Sequence, residues 1–244
     1  MEGMLRNRVE SFAEKEGNVL AYVTFSRHGE TKYTDQYPDI TKKAELNARE
    51  KGKIITAEKG SPDIIIYSPA VRAKGTADAI SAGSVEGHTH PSVQMRESHQ
   101  IRPSEFSNRQ RAEELFLSIG DQEEIARQHH IEGGAFTDPN ILETPESKRA
   151  RLYRGLEYLI RSLDRSKKAP HVVIVSHYEL ISILITDIFG DLDKSFGRYN
   201  IPSFGEHVDV ELIRTDDPGI VTVKINCDNK VAARDFDRKK RLFI

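Results

Sequence analysis

Three short stretches carry side chains that could act together on an anion. Val19-Leu-Ala-Tyr-Val-Thr-Phe25 runs into Ser26-Arg27-His28-Gly29-Glu30-Thr31, so a continuous apolar segment stops abruptly at an Arg, an imidazole and a Gly. A run of that kind reads as a strand buried on both faces that delivers Arg27 and His28 at its carboxyl end, where open α/β sheets place their ligands. Gly29 lets the backbone approach a substrate closely, and a nucleophilic imidazole beside a guanidinium suits attack on a phosphate. The competing reading is a strand-end His bonded to a carbonyl, with Arg27 and Glu30 paired in solvent. Two further stretches weigh against it: Tyr67-Ser-Pro-Ala-Val-Arg72-Ala-Lys-Gly-Thr-Ala77 after a second strand, and Val175-Ser176-His177 at the end of another. Two His and two Arg at one sheet edge form a compact positive pocket that matches a phosphoryl group and stabilises the charge on its oxygens during transfer, with no metal required. Burial and the neighbouring Arg charges would keep His28 neutral, the form that attacks phosphorus.

Together the three stretches, in this order and spread over Val19 to about Glu211, resemble the histidine phosphatase superfamily, which includes the phosphoglycerate mutases. The resemblance implies that His28 becomes the phosphohistidine and that Arg27, Arg72 and His177 hold the phosphoryl oxygens. It also points to Glu97, just past the third strand, as the acid that protonates the leaving alkoxide. A surface Glu97 paired with Arg96 or Arg102 is the structural alternative, and Glu105 is the next candidate for the acid. Thr34 stands where many members carry an Asn that helps bind the substrate, and Tyr178 replaces their usual Gly after the second His.

The elements that must position these groups read as an α/β chain. Strands are expected at Val19–Phe25, Asp63–Tyr67, Thr89–Met95 and His171–Val175, each apolar enough for a buried parallel sheet. Helices are expected from Thr41 to about Glu50, from Ser68-Pro69 onward with Ser68 as N-cap, from Thr144-Pro145 with the stripe Leu152, Leu156, Leu159, Ile160 and Leu163, and after His177 up to Gly190. Ser176-x-x-Glu179 fits a capping box for the last of these, which makes Glu179 structural. Glu206 to Ile213 and Ile220 to Cys227, joined through Asp216-Asp-Pro-Gly219, read as an antiparallel hairpin. Leu5, Val9, Phe12 and Ala13 mark a short amphipathic helix at the start, and Arg238 to Arg241 a solvated basic tail. The expected fold is a three-layer α/β/α sandwich with a mostly parallel central sheet, organised as a single domain, 1–244, with a helical insertion at about 101–145 that could cap the pocket.

Composition bounds the function further. A formal net charge of -2 offers no general attraction to nucleic acid or to an anionic membrane. No stretch is apolar and long enough to span a bilayer, the first residues lack the features of a secretory signal, and a single cysteine excludes an internal disulfide; these point to the cytoplasm. Cys227 lacks the spacing of a cysteine-dependent phosphatase loop, Asp191 follows a helix and not the strand an aspartate nucleophile needs, and neither His129-His130 nor His88 with His90 finds a third metal ligand. No Walker loop or Gly-x-Gly-x-x-Gly fingerprint is present. The reading is therefore a metal-independent, cofactor-free phosphomonoesterase acting on a small-molecule phosphomonoester through His28. Two alternatives stay open. A mutase would return the phosphoryl group to substrate, although Glu97-Ser-His-Gln100 departs from the Glu-Arg-His-Tyr-Gly of phosphoglycerate mutases. A phospho-ligand binding protein on the same fold would have lost turnover.

Overall fold

The computed structural model describes residues 18–32, 38–86, 93–120, 124–125, 128, 136–166, 168–190, 202–227 and 230–244. The expected first helix around Leu5 to Ala13, Thr34, His88, His90, His129, His130 and the Asp191–Ser195 stretch lie outside the described residues.

An eight-stranded sheet runs in the order β3-β2-β4-β1-β5-β6-β7-β8. Its first half is parallel: β1 (Val19–Arg27) and β2 (Ile64–Tyr67) both pair with β4 (His171–Ser176), and β3 (Gln94–Glu97) pairs with β2. The second half is antiparallel, through β5 (His207–Arg214), β6 (Ile220–Cys227), β7 (Lys230–Asp237) and β8 (Leu242–Phe243). The C-terminal hairpin expected from sequence is thus the first two strands of a longer meander. Arg238–Arg241 is correspondingly no tail: it forms the turn between β7 and β8, and Arg238 bonds to Asp164 (2.7 Å), Glu157 (3.4 Å) and the Pro218 carbonyl (2.9 Å).

Side-chain alternation along the buried strands separates two apolar layers. In β4, Val172 and Ile174 face one cluster, together with Leu152, Leu156 and Ile160 of α4 (Pro145–Leu163) and Leu180, Leu184 and Ile188 of α5 (Tyr178–Phe189). Val173 and Val175 face the other, with Ala48 and Ile55 of α1 (Lys42–Lys59) and Ala73, Ala77 and Ile80 of α2 (Val71–Val85). Helices on both faces of one sheet give the expected three layers.

Where the expected helix boundaries move, the reason is visible. Thr41 caps α1 by accepting from the Ala44 amide (3.1 Å), as its sequence predicts, but the helix continues past Glu50 because Ala44, Ala48, Gly52, Ile55 and Thr56 prolong one buried stripe. It stops at Gly60, whose φ of 81° is left-handed. Thr144 accepts from the Ser147 amide, and Pro145 opens α4 as expected. Ser68 does not cap α2; Ala70 holds that position, Pro69 lies before the helix, and Ser68 is engaged elsewhere. Nor does Ser176 form a capping box: its hydroxyl donates to the Ile101 carbonyl (2.9 Å), while Glu179 accepts from the Ser104 amide (3.1 Å) and hydroxyl (3.4 Å).

The segment expected as an insertion holds α3 (Arg109–Ile119), capped by Asn108 and ended by left-handed Gly120. Its two ends meet: Phe106 bridges Leu142, and the Glu143 amide donates to Glu105 O (2.8 Å). Arg151 of α4 fastens this base by pairing with Glu143 (2.9 and 2.7 Å) and donating to the carbonyls of Gln100 and Arg102 (both 2.9 Å). Among the described residues, no helix is long and apolar enough to cross a membrane.

Candidate functional site

β1 and β4 lie side by side in parallel, yet the chain leaves β1 for α1 on one face of the sheet and leaves β4 for α5 on the other. That divergence opens a crevice at their carboxyl ends. The register pairs Arg27 with Ser176, so the next residues, His28 and His177, become neighbours; the His28 amide donates to Ser176 O (3.0 Å). Their rings stand 5.0 Å apart. β2 ends level with them, Tyr67 against Val175, and hands the chain to α2, whose first turn carries Arg72.

Arg72 bridges the two imidazoles. Its Nε donates to His28 Nε2 (3.2 Å), and its Nη2 lies 3.4 Å from His177 Nδ1. These partners fix the tautomers. His28 Nδ1 stands 2.8 Å from the Gly29 carbonyl, which can only accept, so Nδ1 carries the proton and Nε2 presents its lone pair to the guanidinium. His177 likewise receives Arg72 at Nδ1, so its Nε2 donates to Ser68 Oγ (2.8 Å). Burial, foremost, pushes both imidazoles well below 6.5; for His28 the neighbouring His177 ring and the Arg72 and Arg27 cations lower it further, and for His177 the cations Arg72, Arg151 and Arg27 do so. Both rings are thus neutral near pH 7, one offering a nucleophilic nitrogen and both facing positive charge.

Arg27, buried at the end of β1, donates through Nη1 to the Pro202 carbonyl (2.8 Å). The structure thus brings four of the expected residues to one place: Arg27, His28, Arg72 and His177. Glu97 reaches the same sheet edge one strand further out, since β3 pairs Tyr67 with Glu97. Its half-exposed carboxylate turns toward His99 (3.5 Å), not toward Arg96 or Arg102. Glu105 pairs with Arg102 (2.6 Å), which holds its carboxyl below the usual range and makes it a poor proton donor.

Three further contributors escaped the sequence reading. Ser68 looks like a helix cap from its Ser-Pro context, but it orients His177. Thr76 accepts from the Gly29 amide (2.9 Å) and donates to Arg72 O (2.8 Å), tying the His28 loop to α2. Phe204 packs 5.6 Å from the His28 ring. Thr76 lies within the very stretch that flagged Arg72, on the same helical face four residues on, and that spacing was the available signal. Phe204 had none, because its contacts are made across the fold.

A family model of the histidine phosphatase superfamily (branch 1) matches residues 23–228. Comparison with curated proteins finds no match. Among solved structures, the chain is similar to mycobacterial hydrolase 2 (14% identity, TM-score 0.61, covering 87% of this chain and 91% of the other). It is also similar to a mycobacterial glucosyl-3-phosphoglycerate phosphatase complexed with VO3 (15% identity, TM-score 0.59, covering 86% and 98%). YhfR from Bacillus stearothermophilus gives 17% identity and a TM-score of 0.54, covering 79% and 91%. At these identities the likeness is one of fold.

Proposed function

The chain belongs to the histidine phosphatase superfamily, and from that premise we propose that it hydrolyses small phosphomonoesters through a phosphohistidine on His28, without a metal. The observation that carries this reading is the guanidinium of Arg72 set between two buried, neutral imidazoles, with the His28 Nε2 lone pair facing it. The N–H that Arg72 directs at Nε2 is equally able to bind a phosphoryl oxygen, which would leave the lone pair to attack phosphorus.

In the first step, Arg27 and Arg72 bind the phosphoryl oxygens, His177 joins them by moving its proton to Nδ1 while Ser68 Oγ–H turns to donate to its Nε2, and His28 Nε2 forms the N–P bond as the ester P–O bond breaks. The departing alkoxide takes a proton from Glu97. In the second step Glu97, now a carboxylate, removes a proton from water, the water oxygen bonds to phosphorus, and the N–P bond breaks to release inorganic phosphate and return His28 to its neutral form. Glu97, half-exposed at the end of β3, is open to both leaving group and water in this reading. Thr34 keeps its proposed place in substrate binding, and the insertion at 101–145 its proposed place as a cap. The single cysteine, Cys227, supports a cytoplasmic location.

The test is a panel of phosphomonoesters, including both phosphoglycerates, incubated with chelator and scored for free phosphate against isomerised product. Free phosphate as the product supports hydrolysis. Isomerised phosphoglycerate would assign the site to a mutase, and neither product to a binding protein.

A further inference from the structure

Arg27 ends β1, but the strand fixes only its backbone. Its side chain, besides donating through Nη1 to the Pro202 carbonyl (2.8 Å), is held by a second set of contacts. The guanidinium carbon stands 3.8 Å from the Phe204 ring centroid and 5.0 Å from that of Tyr178. Tyr178 is the first residue of α5, directly after His177. Phe204 sits on a turn bound to the Arg27-His28 dipeptide: the Gly205 amide donates to His28 O (3.3 Å), and the Arg27 amide to Glu206 O (3.0 Å). The Glu206 carboxylate closes that turn by accepting from the Ser203 amide (2.5 Å). Each aromatic face thus arrives on a segment anchored to one of the two histidines.

How an arginine is held decides what its N–H groups can still do. A carboxylate grips a guanidinium through the same N–H edge that a phosphoryl group needs and neutralises part of its charge. An aromatic ring attracts the cation through the electron-rich face of its π system and leaves the in-plane donors available. It also limits the rotamers of a long side chain before substrate arrives, which lowers the entropic cost of binding.

We propose that Phe204 and Tyr178 are positioning residues that hold the Arg27 guanidinium by its face, so that its N–H edge meets the phosphoryl group at His28. This rests on the phosphoryl-binding reading of the site and adds to it the means by which one of its two arginines is kept in register.

The experiment is a double-mutant cycle read by calorimetric titration with inorganic phosphate, together with the NMR shift of the Arg27 Nε proton in the ligand-free protein. Phe204→Leu is expected to weaken phosphate binding about tenfold, and Phe204→Trp, which keeps a ring face, to stay within about twofold of the wild type. Tyr178→Leu, on a different segment, should weaken it in the same direction. In an Arg27→Ala background Phe204→Leu should have no further effect, because its influence passes through Arg27. The Arg27 proton should show a ring-current shift that Phe204→Leu removes. An unchanged affinity in Phe204→Leu, or an equal loss with and without Arg27, overturns the proposal while leaving the phosphoryl site intact. A wild-type protein that takes no phosphate although its Arg27 proton is ring-shifted overturns the phosphoryl reading and this proposal with it.

Discussion

His28 and His177 are 2% and 1% exposed, and each is neutral because protonating it would place a charge in a desolvated site already containing arginines. This has a consequence for stability. In the unfolded chain both titrate near 6.5, while in the folded chain they stay deprotonated well below that, so the unfolded state binds more protons as pH falls beneath 6.5. Stability conferred by the neutral pair is complete above that value and lost as pH falls toward the depressed folded values. Urea denaturation at about pH 7.5 and about pH 5.5 should show the loss, and His28→Gln should make it shallower by about 1 kcal/mol per pH unit. His171 and His207 are depressed as well, chiefly by burial, so the comparison is between variant and wild type and not with a flat line. An unaltered slope in His28→Gln would mean that its imidazole is not held neutral. Glu97 invites a different test at this scale. An alkyl alkoxide needs a proton as it leaves, whereas p-nitrophenolate does not, so Glu97→Gln should slow alkyl phosphates about a hundredfold or more and the aryl ester by less than about threefold. Equal slowing of both would make Glu97 a structural residue.

At the scale of elements, the site depends on how closely α2 can approach α1. A Cβ on Gly83 would lie 1.9 Å from Arg49 O, and one on Gly52 2.2 Å from Ile80 O, so the two helices touch backbone to backbone. Gly83→Ala should therefore push α2 outward, costing about 3 kcal/mol in chemical denaturation and displacing Arg72 and Thr76 enough to lower turnover in the folded fraction. A loss below about 0.5 kcal/mol would show that the helices can separate freely. The same elements show what sequence made legible. Thr41 and Thr144-Pro145 were readable as caps because a cap is a local device, complete within four residues. Ser68 and Ser176 carry the same local pattern, but partners brought by tertiary folding, His177 and the Ile101 carbonyl, outcompete the helix ends for their hydroxyls. β7 was missed because it presents few buried side chains: of Lys230–Asp237 only Phe236 is fully covered, so an outer strand leaves no strong apolar run. The residues proposed to act were legible where they end apolar runs, as His28 and His177 do. Those that hold them in place, Ser68, Thr76 and Phe204, were not, because their partners are remote in sequence.

The whole molecule joins these parts through one sheet. Its parallel half delivers the histidines, its antiparallel half supplies Phe236, Val223 and Leu212 to the apolar cluster beneath α4 and α5, and this continuity supports the proposal of a single domain. A protein of net charge -2 concentrates Arg27 and Arg72 at one crevice, so the proposed attraction for phosphate is local and built from side chains. Chelation should accordingly leave turnover unchanged, and Cys227→Ser, at a partly buried thiol packed on the edge of the core, should be nearly silent. Activity lost to EDTA and restored by a divalent cation would contradict this. The most direct measurement asks where the phosphoryl group goes. Rapid mixing with labelled phosphomonoester, quenched without acid because a phosphoramidate is acid-labile, should place the label on the peptide containing His28, and His28→Ala should abolish both label and turnover. Label retained by His28→Ala, or found on another residue, would contradict the account.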